Sequence, residues 1–220
     1  MKKTYLKRKI FLAAFYLTCS CIVYVRESES KQVNTDTFNS FEDWCENKDN
    51  LNEDIRHTIE LLLLKVKTSD CKFASKELST YTSLSLDKRG VSNLLPLSSF
   101  TNLTRLNLTN NKIVDIKPLE KLTKLTSLGI SGNHISDISP LRNMKDLTSL
   151  RANRNQISDV SPLQTLTKLH YLALNDNKIQ DVTSLQLLNR LNIATFRGNP
   201  IINKICPVPK PVNDLPICAF

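Results

Sequence analysis

Four consecutive blocks of 22 residues, filling residues 101–188 without insertion or deletion, restrict what this chain can fold into more than any other feature. They read TNLTRLNLTNNKIVDIKPLEKL, TKLTSLGISGNHISDISPLRNM, KDLTSLRANRNQISDVSPLQTL and TKLHYLALNDNKIQDVTSLQLL. A unit this small cannot bury its apolar face alone, so a fixed period means one supersecondary unit stacked on copies of itself. Down the blocks run Leu103, Leu125, Leu147 and Leu169, then Leu106, Leu128, Leu150 and Leu172, then Leu108, Ile130, Ala152 and Leu174. The last two columns stand two residues apart, so within each block they point to the same side of a short, half-buried strand. Ile113, Ile135, Ile157 and Ile179 follow, with Ile116, Ile138, Val160 and Val182, and finally Leu119, Leu141, Leu163 and Leu185. These spacings are too irregular for one strand or one long helix. Each block must therefore bend back to deliver them to a shared interior, which makes one block one coil of a solenoid.

The polar columns explain the bends. Asn111, Asn133, Asn155 and Asn177 recur where the strand must end. An amide there both donates to and accepts from backbone groups that the bend orphans, and stacked copies make a ladder. Pro118, Pro140 and Pro162 precede a leucine on the return side, where a fixed φ and a missing N–H suit the first position of a short helical turn, and only Ser184 breaks that column. Asp115, Asp137, Asp159 and Asp181 form a further column, read as capping the next turn's backbone rather than binding a cation.

These residues resemble the leucine-rich repeat, and the 22-residue form with I-x-D-[IV]-x-P-L is similar to the class found in bacterial internalin-type proteins. The resemblance implies an α/β repeat solenoid over residues 79–201, curved, with a parallel sheet on the concave face and 3₁₀ turns on the convex face. Residues 79–100 are a degenerate first repeat in which Arg89 occupies the asparagine position, and residues 189–201 begin a unit that does not close.

A solenoid needs lids, because its terminal coils would otherwise expose their leucines to water. Residues 41–78 read as a helical N-terminal cap. Asn52 is the N-cap of a helix with Glu53 and Asp54 in its first turn and Ile55, Ile59, Leu62, Leu63 and Val66 on one side, while Phe41 and Trp44 add apolar cover. Residues 202–220 read as the C-terminal cap. Upstream, residues 27–40 are polar and read as a linker, and residues 1–26 begin with Lys2, Lys3, Lys7, Arg8 and Lys9 ahead of an apolar run, the pattern of a secretory signal or an uncleaved anchor. The chain is thus expected to be secreted, periplasmic or held in the cell envelope, touching a membrane only if that anchor is kept.

Four cysteines remain beyond that run: Cys45, Cys71, Cys206 and Cys218, all in the caps. Of the three possible pairings, distance selects Cys45 with Cys71 and Cys206 with Cys218. About five coils at roughly 4.8 Å each put the caps on the order of 24 Å apart, far beyond the ~6 Å between bridged Cα atoms. They lack the short paired spacing of a zinc site.

No catalytic constellation, cofactor motif or metal-ligand set is apparent: His57, His134 and His170 lie far apart in the repeat register. The net charge is +9, but residues 1–30 hold six basic and two acidic side chains, leaving 24 against 19, or +5. That mild, scattered excess is not the signature of a nucleic-acid binder. What remains is the surface. The outward strand positions vary from block to block while the core columns do not, and Arg105, Asn107, Arg151, Asn153, Arg154, Tyr171, Asn175 and Arg197 are the candidate contacts of a concave binding face. The expected function is an exported, monomeric binding module that recognises a protein or a surface glycan. The alternative is an envelope or matrix scaffold without a dedicated ligand.

Overall fold

The computed structural model describes residues 34–206 and 218–220. The leader expected over residues 1–26, residues 27–33 of the expected linker and residues 207–217 of the C-terminal cap lie outside the described residues. Among the described residues no helix is long and apolar enough to cross a membrane.

Among the described residues seven short strands form one open parallel sheet in chain order: β1 (Ser83–Ser85), β2 (Arg105–Asn107), β3 (Ser127–Gly129), β4 (Ser149–Arg151), β5 (Tyr171–Ala173), β6 (Ile193–Thr195) and β7 (Cys218–Ala219). From β1 to β6 each strand pairs with the next at a shift of one block, so Leu84, Leu106, Leu128, Leu150, Leu172 and Ala194 stand abreast. Each of these six is at most 3% exposed. The return side carries 3₁₀ turns at Leu95–Leu97, Lys117–Leu119, Ser139–Asn143, Ser161–Thr165 and Thr183–Leu187. Proline takes the second position of the first four rather than the expected first; its missing N–H is harmless there too, since that donor also lacks an intrahelical acceptor. The fifth turn forms with Ser184 in place of proline because Asp181 Oδ1 accepts the Thr183 N–H at 2.8 Å. Asp115, Asp137 and Asp159 do the same for residues 117, 139 and 161.

The asparagines do more than turn the chain within a coil. Asn133 Oδ1 accepts the Ile113 N–H from the preceding coil at 3.0 Å. Its Nδ2 donates to the carbonyls of Leu108, again in the preceding coil, at 3.0 Å, and of Ile130, in its own, at 2.9 Å. Asn155, Asn177 and Asn199 repeat the arrangement, and Asn111 starts it by accepting from Arg89 and Val91. Each asparagine thus ties two coils together, and Asn111, Asn133, Asn155 and Asn177 do so buried, whereas Asn199 at the open end is half-buried.

Just past each strand one residue has positive φ: Lys88, Asn110, Gly132, Arg154, Asp176 and Gly198, at intervals of one block. Glycine is there at no steric cost, whereas the side-chain-bearing residues are held in that conformation by the coils around them.

The N-terminal cap has three helices where one is expected from the sequence. α1 (Phe41–Glu46) opens with a reciprocal cap in which Ser40 Oγ accepts the Asp43 N–H and Asp43 accepts the Ser40 N–H. α2 (Glu53–Val66) is the expected helix, capped by Asn52 Oδ1 at 3.0 Å from the Ile55 nitrogen. α3 (Cys71–Ser79) is capped by Asp70. Phe41, Trp44, Ile55, Ile59, Leu62, Ala74 and Leu78 are buried in one core with the first coil, where Phe41 meets Phe100 with ring centroids 5.8 Å apart. Of the segment expected as a linker, Phe38 packs edge-on against Trp44 at 4.8 Å. Thr58, fully buried, donates to the Asn93 carbonyl at 2.8 Å, and His57 Nε2 donates to the Arg89 carbonyl at 2.7 Å, so α2 is docked by polar contacts as well as apolar ones. Cys45 is bonded to Cys71 and Cys206 to Cys218, with Cα atoms 5.5 and 5.6 Å apart.

Candidate binding face

The alternation of a strand sends one side chain inward and its neighbours outward. The register therefore lays the outward side chains in rows. One row runs Ser83, Arg105, Ser127, Ser149, Tyr171, Ile193, and the next runs Ser85, Asn107, Gly129, Arg151, Ala173, Thr195. A third, one step past the strands, runs Asp87, Thr109, Ser131, Asn153, Asn175, Arg197.

The third row is largely occupied with the fold. Ser131 Oγ accepts the Asn153 N–H at 3.1 Å, Asn153 Oδ1 accepts the Asn175 N–H at 2.8 Å, and Asn175 Oδ1 accepts the Arg197 N–H at 2.8 Å. Asn107 Oδ1 likewise accepts the Thr109 N–H at 3.1 Å. Three of the eight candidates, Asn107, Asn153 and Asn175, therefore spend their carbonyl oxygens on backbone donors, and their amide nitrogens are what they can offer a ligand. A third ladder, also not foreseen, leads into the strands: the hydroxyls of Thr104, Thr126 and Thr148 each donate to the carbonyl one coil back. Threonine at intervals of 22 was its visible signal, and His170 ends it.

Arg154 stands apart from the other candidates. It is the positive-φ residue beyond β4, and its Nε lies 3.7 Å from Asp176 Oδ2 in the next coil. Both side chains are well exposed, so this pair is worth little. The remaining four occupy the rows. Arg105 and Arg151 are exposed, and Arg151 holds its guanidinium carbon 5.0 Å from the centre of the Tyr171 ring. That contact spans β4 and β5 and fixes the direction of the arginine. Arg197 lies exposed at the far end of the third row.

Gly129 stands directly between Asn107 and Arg151 in the register. A Cβ there would come within 3.0 Å of Asn107 Oδ1, so the absence of a side chain leaves room that its neighbours partly use. Around it opens a hollow of about 340 Å³ lined by Ser83, Ser85, Arg105, Asn107, Gly129 and Arg151, among others. An arrangement of this kind presents charge and hydrogen-bond donors on a rigid sheet. Among the described residues there is no group of three or more His, Cys, Asp and Glu side chains able to hold a metal ion.

Residues 81–143 and 145–187 match the family model described as leucine-rich repeats. Among solved structures, internalin C2 of Listeria monocytogenes is 41% identical over 56% of this chain and 54% of its own, with a TM-score of 0.54. A second internalin of that organism, inlF, is 38% identical over 57% of this chain and 37% of its own, with a TM-score of 0.56. A leucine-rich repeat protein of Leptospira interrogans, 24% identical over 58% of this chain and 34% of its own with a TM-score of 0.55, shares the fold. The chain thus spans about half of the first of these and about a third of the other two. No curated protein sequence matches it. The repeat period, the parallel register, the asparagine ladder and these likenesses agree: residues 81–187 carry leucine-rich repeats of the 22-residue class, which resemble those of bacterial internalins.

Proposed function

We propose that the protein is an exported recognition module that docks a protein ligand on its concave sheet. The observation that carries this reading is the division of labour among the columns. Side chains that hold the coils together recur from coil to coil, whereas Arg105, Arg151, Tyr171 and Arg197 do not recur and stand on outward rows, where Arg151 and Tyr171 contact each other. Arginine and tyrosine are the residue types that most often dominate interface energies. A sheet held by successive hydrogen-bonded ladders also loses little conformational freedom when a partner docks. Export is supported by the basic and then apolar start of the sequence and by two disulfide bonds, which persist in oxidising compartments.

The test is affinity capture from native envelope or culture medium, with the exported protein and its Arg105→Ala, Arg151→Ala, Tyr171→Ala and Arg197→Ala variants as bait. Arg151→Ala and Tyr171→Ala are expected to weaken capture most, by about tenfold each. Full capture by all four variants would remove the concave face as the site. Self-association with no captured ligand would favour a scaffold instead.

A further inference from the structure

We infer that the ligand of this face is an acidic segment of a protein, with carboxylates seated on Arg105 and Arg151 across the Gly129 hollow and a neighbouring apolar side chain against Tyr171 and Ile193. The inference rests on the concave-face reading above and goes further, to the chemistry of the partner.

Charge is the first ground. Strands β2 to β6, taken with the residue three past each central leucine or alanine, offer Arg105, Arg151 and Arg197 outward and not one Asp or Glu. Along these rows Asp87 is the single carboxylate; it lies on the first coil and is held by the Ser85 hydroxyl at 2.7 Å. Among the described residues, the ion pairs are Arg154 with Asp176 and Lys168 with Asp146, so Arg105, Arg151 and Arg197 have no carboxylate partner there. A sheet whose arginines lack carboxylate partners attracts anions, and a guanidinium binds a carboxylate through two parallel N–H donors.

Shape is the second. Arg105 and Arg151 are two strands and two residues apart in the register, about 12 Å at the usual strand spacing and rise. Gly129 on the intervening strand leaves the hollow between them open. Arg151 is held over the Tyr171 ring, its guanidinium carbon 5.0 Å from the ring centre, which fixes where its N–H donors meet an acceptor.

The same stacking decides between a peptide and a sugar. An aromatic platform for a glycan needs an uncovered ring face, and Arg151 covers one face of Tyr171. Beside the ring stands Ile193, 48% exposed, an apolar seat that suits a protein side chain rather than a hydroxylated ring.

The experiment measures binding of the folded protein to three probes by fluorescence anisotropy at low and high ionic strength. These are a labelled peptide of repeated Glu-Glu-Leu, its Gln-Gln-Leu counterpart and a sulfated oligosaccharide of heparin type. The acidic peptide is expected to bind at least about tenfold tighter than the amide peptide and tighter than the oligosaccharide, with the advantage fading at high ionic strength. Arg105→Gln and Arg151→Gln should each weaken it about five- to tenfold, and Gly129→Leu, which fills the hollow without changing charge, by a similar factor. Arg154→Gln should leave it unchanged. No binding of the acidic peptide, equal binding of both peptides, or tighter binding of the oligosaccharide overturns the inference. If both peptides bind equally and Gly129→Leu still weakens them, only the acidic preference is lost; if Gly129→Leu has no effect on any probe, the concave-face reading falls with it.

Discussion

Asn133 accepts the backbone N–H of Ile113, twenty residues earlier and in the preceding coil, at 3.0 Å, while its amide nitrogen serves carbonyls of both coils. One side chain thereby satisfies three backbone groups that water cannot reach, and the same bond recurs up the solenoid. Its loss is felt by two coils at once.

Asn133→Ala leaves the buried Ile113 N–H without its acceptor, while the Leu108 and Ile130 carbonyls each lose one of two amide donors and keep Asn111 Nδ2 and Asn155 Nδ2. It is expected to destabilise the protein by about 1–3 kcal/mol, the cost of one unsatisfied buried group. Asn133→Asp should be nearly as damaging, because a carboxylate still accepts from Ile113 but cannot donate to Leu108 and Ile130. Urea unfolding of the two variants checks both.

Leu150 is fully buried between Leu128 and Leu172 on the adjoining strands. Leu150→Ala should cost about 2–5 kcal/mol through the cavity it leaves between three coils. Serine at the outward neighbour Ser149 should tolerate alanine with little change. A midpoint shift for the first variant and none for the second, in one denaturant series, is the expected result.

The bond between Cys45 and Cys71 closes a loop with a sequence separation of 26. Replacing both cysteines by alanine is expected to cost about 3.5 kcal/mol on the chain-entropy account. The loss should concentrate in the cap. Hydrogen exchange is expected to speed up in α1 and α3 while the amides of β3 and β4, several coils away, keep their protection; uniform loss across the solenoid would contradict this.

Asp43 accepts the N–H groups of Asn39 and Ser40 and the Ser40 hydroxyl. The Asn39 backbone donor does most to hold its carboxyl below the ordinary range, followed by the Ser40 hydroxyl and the Ser40 N–H. Because the folded value lies below the unfolded one, the stabilisation is complete above the unfolded value of about 4 and is lost as pH falls through the folded one. Asp43→Asn should therefore flatten the acid limb of the stability profile below about pH 4 and lower the plateau above it. Thermal unfolding across that range measures the difference.

The legibility of this protein in its sequence follows from how its contacts repeat. Every apolar column recurs at 22 residues, so four copies of each side chain vouched for its burial before any coordinate was known. The Asn52 cap and the stripe of α2 could be read for a similar reason, since both lie within one helix. α1 and α3 were missed because each is short and carries too few turns for a periodic stripe, although Ser40 with Asp43 and the Asp70 N-cap were local signals for their starts. Two glycines and an Asn and an Asp in the column of Gly132 and Gly198 likewise hinted at the positive φ that moves Arg154 off the strand rows.

From the string of residues alone came the period, the interior, the strand register and the pairing of the cysteines, because these depend on side-chain type and separation along the chain. Only the stacked coils decided which outward amides are spent, since Asn153 and Asn175 look like free surface residues until the next coil brings a backbone N–H to within 2.8 Å. The stacking of Arg151 on Tyr171 and the docking of Thr58 on Asn93 belong to the same class. Such contacts form between residues whose partners are chosen by the folded geometry, and no local pattern records that choice.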